Sequence, residues 1–244
     1  MSQSKADIIH QLQKSLLPLQ GYKPAGDNTV RVPLGPVNRA FPGHTFPVGA
    51  VHEFISNSPE STAATCGFIT GIASFLAAEK ALCLWISARR QVFPPALLPF
   101  GLLPHQVVFI EAPAEKERIW VMEEALKCEG LAGVIAEVSE LDFTASRRLQ
   151  LAVEQSQVTG FIIRQQPRQL NTLASIARWH IHPAASSSYN QLPGIGFPRF
   201  TVQLDKIRNG KPGQWQLEWR HNRFAEVMPA AATGAAATPI RKIV

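Results

Sequence analysis

From residue 50 onward, short apolar runs alternate with amphipathic stretches, and the alternation predicts strands and helices in turn. Ala50-Val51-His52-Glu53-Phe54-Ile55 reads as a strand, residues 60 to 79 as an alanine-rich helix, and Ala81-Leu82-Cys83-Leu84-Trp85-Ile86 as a second strand. Val107-Val108-Phe109-Ile110 follows, then a helix over about 114 to 128 with Ile119, Met122, Ala125 and Leu126 on one face. Gly133-Val134-Ile135-Ala136 is the next strand, and Leu141, Ala145, Leu149 and Ala152 recur at helical period after it. Thr159-Gly160-Phe161-Ile162-Ile163 closes the series. Apolar strands with so few polar breaks, each followed by a helix, are those of a parallel sheet covered on both faces.

The pattern changes after residue 175. Trp179-His180-Ile181 reads as a short strand, a Ser, Pro and Gly-rich loop runs from 183 to 198, and two strands follow at 200–207 and 214–219. Arg208-Asn209-Gly210-Lys211-Pro212-Gly213 joins them as a hairpin, because Asn-Gly accepts the positive φ of a tight turn. Before residue 50 the pattern is weaker. Ile8, Ile9, Leu12, Leu16 and Leu17 make one apolar stripe of a helix over about 5 to 17, and prolines and glycines punctuate the chain to residue 49. The expected organisation is an N-terminal helix within 1–20, a connector over 21–49, an α/β domain over 50–225 and a flexible tail over 226–244. Within that tail, Ile240-Arg241-Lys242-Ile243-Val244 is a candidate docking peptide.

Composition narrows the function classes. The 244 residues carry a formal charge of +6, and no stretch approaches the roughly 18 uninterrupted apolar residues of a membrane span. The start lacks a secretory pattern, so a cytoplasmic protein is expected. Cys66, Cys83 and Cys128 stand apart in apolar surroundings, as reduced buried thiols do. From Arg199 onward eight Lys and Arg face three acids, a basic surplus suited to nucleic acid, to an acidic partner or simply to a solvated sheet edge.

The most informative segment is Ser58-Pro59-Glu60-Ser61-Thr62-Ala63-Ala64-Thr65, at the first strand-to-helix junction. It has the outline of a phosphate-binding loop, G-x-x-x-x-G-K-[ST], whose glycines let backbone amides reach the phosphates and whose lysine meets their charge. Ser58 and Ala63 occupy the glycine positions and Ala64 the lysine's; Thr65 alone keeps the hydroxyl on the magnesium side. Other residues tempt assignment. His52 and Glu53 are adjacent on a strand and so point to opposite faces, which makes a structural histidine the better reading. His180 and His182 share a face, but the pattern offers no third ligand, and no metal or cofactor is expected. Arg147-Arg148 reads as a wet helix face, and Ser61 has neither a nucleophile-elbow pattern nor a partner base.

Phe46-Pro47-Val48-Gly49-Ala50-Val51-His52-Glu53-Phe54 with Ser58-Pro59-Glu60-Ser61 resembles the first core strand and phosphate loop of the RecA recombinases. Trp85-Ile86-Ser87-Ala88-Arg89 resembles their second strand, Ile135-Ala136-Glu137 their Walker B strand, Phe161-Ile162-Ile163-Arg164-Gln165 the strand before the second DNA loop, and Val202 to Pro212 the late hairpin. Within that superfamily the chain is similar to the ImuA family, RecA-like accessory proteins of SOS-induced mutagenesis cassettes. Trp120-Val121-Met122-Glu123-Glu124-Ala125-Leu126-Lys127-Cys128 and Thr144-Ala145-Ser146-Arg147-Arg148-Leu149-Gln150-Leu151-Ala152 carry this likeness.

The resemblance implies a RecA-like core, mainly a parallel sheet flanked by helices and extended by a C-terminal antiparallel hairpin. It implies a non-catalytic role in translesion synthesis through an ImuB-like polymerase-related protein, an error-prone replicative-type polymerase and RecA. Ile8, Leu12 and Leu16 become the candidate partner contact, and Lys206, Arg208 and Lys211 the candidate nucleic-acid or partner contact. Arg89 stands where RecA has its catalytic glutamate, and Glu137 near the Walker B aspartate. Loss of both the phosphate cradle and the water-orienting carboxylate argues against ATP hydrolysis. The short stretches 137–149 and 163–176 leave little room for RecA-type DNA loops. Two other readings compete: a SulA-type division inhibitor acting on FtsZ, although those proteins are shorter and lack the strand-loop start, and a divergent ATPase.

Overall fold

The structure, a computed structural model, describes residues 30–78, 82–186 and 196–227. The N-terminal helix with Ile8, Leu12 and Leu16, and the tail from residue 228, lie outside the described residues. Nine strands form one sheet: β1 (Val51–Ser56), β2 (Leu82–Ser87), β3 (Val107–Glu111), β4 (Leu131–Val138), β5 (Thr159–Gln165), β6 (Ala177–Ala184), β7 (Arg199–Ile207), β8 (Gly213–Arg220) and β9 (Arg223–Glu226). Their order is β3-β2-β4-β5-β1-β6-β7-β8-β9. The six strands from β3 to β6 are parallel, and β7, β8 and β9 continue antiparallel. The α/β architecture with its antiparallel extension is the one expected from the sequence.

Helix α1 (Pro59–Ala77) covers one face, and α2 (Glu115–Leu126) and α3 (Phe143–Ser156) cover the other. Each face takes alternate residues of a strand. On the α1 side, Phe54, Trp85, Ile135, Phe161 and Trp179 join Phe46 and Phe68 in an aromatic-rich core. On the other side, Val51, Ile86, Val134 and Ile162 meet Met122, Leu126, Leu149 and Val153.

Most of α1 is buried, because the sheet lies beneath it while β8, β9 and a 3-10 segment at Pro94–Phe100 close around it. Its two interior glycines admit these neighbours. A Cβ at Gly67 would stand 2.7 Å from the Phe100 ring, and one at Gly71 2.7 Å from the Phe224 ring. Trp219 Nε1–H donates to Pro99 O at 2.7 Å and ties β8 to the same segment.

Residues 30–49 form no strand or α-helix, only 3-10 turns at Gly35–Ala40 and Pro42–His44. They are nevertheless part of the packing: Val32, Leu34, Val37, Phe41 and Phe46 are all buried. Strand β6 is longer than Trp179-His180-Ile181, the three residues that announce it, and β9 was not foreseen. The β8–β9 turn is His221-Asn222, both at positive φ, a two-residue hairpin made without glycine. In the longer β7–β8 connection only Asn209 has positive φ. Gly210 is needed there for space, since a Cβ would lie 2.3 Å from Ala40 O.

Cys66, Cys83 and Cys128 are free thiols, but Cys128 is exposed, not buried as the sequence implied. No described helix is long and apolar enough to cross a membrane.

Candidate functional site

The junction that resembles a phosphate loop is mostly helix. One residue, Asn57, separates the end of β1 from Ser58, the N-cap of α1, and the helix begins at Pro59. Proline suits this first position because its missing N–H is not needed there. The N-cap consumes donors that a phosphate would use: Ser61 N–H donates to Ser58 Oγ at 3.2 Å and Thr62 N–H to Ser58 O at 2.9 Å. Ala64 is buried within α1. Thr65 is fully buried, its hydroxyl 3.1 Å from that of Ser56, so it joins helix to strand. Ala63 faces outward, and Ser61, contrary to expectation, has an imidazole beside it: Oγ lies 3.1 Å from His182 Nδ1. Because Ser61 is buried and also bonded to Ser58, the contact fastens the start of α1 to the end of β6.

A cleft of about 550 Å³ opens beside this junction, at the carboxyl ends of β4 and β5. Parallel α/β sheets commonly bind ligands at this edge. Pro59, Ala63 and Cys66 of α1 form one wall, Val92, Phe93, Leu97 and Phe100 the other, and Glu137 and Gln165 the polar floor. Trp85 Nε1–H donates to Glu137 Oε1 at 2.8 Å, and Gln165 Nε2–H to Glu137 Oε2 at 2.9 Å. Burial raises the Glu137 carboxyl above its ordinary pKa, and these two hydrogen bonds pull the other way. Burial, helped by the Glu137 charge, also pushes the Cys66 thiol far up, so it is not a ready nucleophile. A smaller adjoining recess, about 230 Å³, shares Glu137 and Gln165 and carries Arg89 and Arg118. Arg89 is exposed. Arg118 is buried and donates to Glu137 O, Ala112 O and Pro113 O at 2.7, 2.9 and 2.7 Å.

Protein ImuA of Caulobacter vibrioides, strain NA1000 / CB15N, is 33% identical to this chain over 194 residues, covering 75% of the chain and 80% of that protein. The same protein from strain ATCC 19089 / CIP 103742 / CB 15 matches equally. The chain belongs to the ImuA family. No protein-family model matches it.

Beyond the cleft, this ImuA-family chain holds a buried charge network that sequence reasoning missed. His52 and Glu53 do face opposite sides of the sheet. His52 is fully buried, stacks on Phe46 with centroids 4.4 Å apart, donates from Nε2 to Pro47 O at 2.7 Å and accepts from Trp179 Nε1–H at 3.3 Å. Burial lowers its pKa to about 4, so the ring is neutral and structural.

Glu53, on the other face, meets two guanidinium groups: Arg164 at 3.0 Å and Arg178 at 2.8 Å. Arg164, with no exposure at all, also reaches Glu140 at 3.5 Å, Asn171 Oδ1 and Gln169 O. Among the described residues no helix covers this part of the sheet. The β5–β6 connection lies there instead, and its polar groups satisfy the charges. A lone arginine at the end of Phe161-Ile162-Ile163 was the available signal, since a charge on a buried strand needs partners.

The other sequence candidates are dispersed. Lys206 Nζ donates to Leu173 O at 3.2 Å and Arg208 Nη2 to Ala174 O at 3.5 Å, on the β5–β6 connection, while Lys211 is exposed in the β7–β8 turn. Desolvation and the neighbouring Arg178 lower the Lys206 pKa. His180 pairs with Asp205 at 2.8 Å, and the His180 and His182 rings lie 6.4 Å apart. Among the described residues no group of three or more His, Cys, Asp or Glu is placed to hold a metal. Arg148, on the exposed face of α3, reaches Glu123 of α2 at 3.1 Å.

Proposed function

We propose that this ImuA-family protein is a non-catalytic accessory factor of SOS-induced, error-prone DNA repair and translesion synthesis. It acts by contacts with an ImuB-like polymerase-related protein, an error-prone replicative-type polymerase and RecA. The observation that carries the non-catalytic half is the helical start of α1. Where a phosphate loop would present free amides and a lysine, Ser58 occupies the amides of Ser61 and Thr62, Ala64 is buried, and Thr65 is committed to Ser56. Among the described residues no lysine, arginine or histidine lines the adjacent cleft. Phosphoryl transfer rests on positioning and charge stabilisation of the phosphates, and this junction supports neither. Family membership supports the repair role.

Two measurements test the reading together. Titration calorimetry with ATP and magnesium is expected to give no saturable heat at micromolar concentrations, and co-purification is expected to retain the ImuB-like protein. Micromolar ATP binding abolished by Thr65→Ala would overturn the non-catalytic reading in favour of the divergent ATPase, whose mark would be phosphate release. Failure of the chain to retain the ImuB-like protein would remove the accessory role.

A further inference from the structure

The cleft beside α1 has the size of a ligand site, within the roughly 300–1,000 Å³ usual for small-molecule pockets, but the wrong charge for a nucleotide. Glu137 is the single charged side chain among its lining residues, and it stands at the floor. A phosphate entering here would approach a carboxylate, while Arg118, whose charge acts on Glu137, lines the adjoining recess and not the cleft. A cation would meet the reverse: a desolvated acceptor behind apolar walls, where charge attraction is strong.

The Glu137 carboxylate also has capacity left. Trp85 and Gln165 each supply one hydrogen bond, and an ionised carboxylate accepts about four. At the rim Phe93 is 68% exposed, a free aromatic face of the kind on which guanidinium groups stack. Gln166, also lining the cleft, is held at φ 47° while its N–H is fixed to Ser56 O at 2.8 Å. Non-glycine residues in that conformation cluster at ligand sites. The nearby cations lie outside the cleft, although the charge of Arg118 reaches Glu137. Arg89 and Arg118 line the adjoining recess, and Arg118 is spent on three carbonyls.

We propose that this cleft receives an arginine or lysine side chain, flanked by apolar residues, from a protein partner. The cation pairs with Glu137, and the flanking residues lie against Phe93, Leu97 and Phe100. The occupant is thus a basic, apolar segment of a protein, not a nucleotide. The proposal rests on the accessory reading above, because a working nucleotide site would claim the same space.

The test uses the full chain and two acetylated, amidated tripeptides, Val-Arg-Val and Val-citrulline-Val, which differ by one charge at nearly constant shape. The readout is the Trp85 indole N–H signal in a nitrogen-15 NMR spectrum, assigned by its loss in Trp85→Phe. The arginine peptide is expected to move this signal saturably and at least tenfold more tightly than the citrulline peptide, with the difference gone in Glu137→Gln. Should Glu137→Gln fail to fold, Ala63→Phe, at an exposed position on the cleft wall, serves instead and is expected to abolish binding of the arginine peptide. Equal response to both peptides, no response to either, or a preference that survives the substitution overturns the proposal. Magnesium ATP in a parallel titration separates the two readings. Saturable ATP binding sinks the accessory reading, whereas silence from ATP and both peptides sinks this one alone.

Discussion

His52 and Glu53 are neighbours in sequence, yet each is buried in a different solvent. The imidazole sits among Phe46, Phe161 and Trp179 and must stay neutral; the carboxylate sits between two guanidinium groups and is charged. The His52 pKa falls from 6.5 to about 4 on folding, so between these values the unfolded chain binds a proton that the folded chain refuses. Stability from this residue is complete above pH 6.5 and drains away as pH falls toward 4, by about 3 kcal/mol at roughly 1.4 kcal/mol per pH unit. Urea unfolding across that range should show the slope, and His52→Phe should flatten it; an unchanged slope would clear His52 of responsibility. The alternation of β1 was enough to place these two residues on opposite faces. Their partners were not legible, because Trp179, Arg164 and Arg178 lie more than a hundred positions away along the chain.

Elements were legible where hydrophobic periodicity is unbroken and obscure where polar side chains interrupt it. The long helices and the four central strands follow the apolar pattern closely. Strand β6 shows only three residues of its eight, because arginine and two histidines alternate with its apolar residues and a proline follows them. The start of α1 misled in another way: a loop motif and a capped helix share Ser, Pro and Glu, and only geometry tells which one forms. The β5–β6 connection is tied to the sheet through Arg164 and Arg178, and its anchorage depends on Glu53, which serves both. Glu53→Gln is expected to cost about 3–5 kcal/mol, because it leaves buried Arg164 with only the more distant Glu140 and takes the carboxylate from partly buried Arg178. Arg164→Met should cost less, since Glu53 keeps Arg178 at 2.8 Å. Denaturant midpoints of the two variants check the ranking; a Glu53→Gln loss below about 1 kcal/mol would mean that hydrophobic packing alone holds the connection.

Across the whole molecule, the sheet changes character at β6. The central parallel strands β2, β4, β5 and β1 are buried on both faces, whereas from β6 to β9 the face opposite α1 carries His180, Thr201, Gln203, Asp205, Gln216 and Glu218. Amide exchange should follow this division, with β1, β4 and β5 opening last and the outer strands β3 and β9 first. Uniform protection across all nine strands would contradict it. Strand order and cleft were beyond the sequence: Trp85, Glu137 and Gln165 converge from three strands, and nothing local to any one of them announces the others. Burial of Ala64 also sets what this junction can accept. A lysine placed at that position would push an ammonium into the packed side of α1 and lose stability before any ligand rewarded it, while Ser58, Thr62 and Thr65 would still be bonded to the protein itself. Installing a phosphate-gripping loop at this junction therefore requires several substitutions at once, the first of them at a cost in stability.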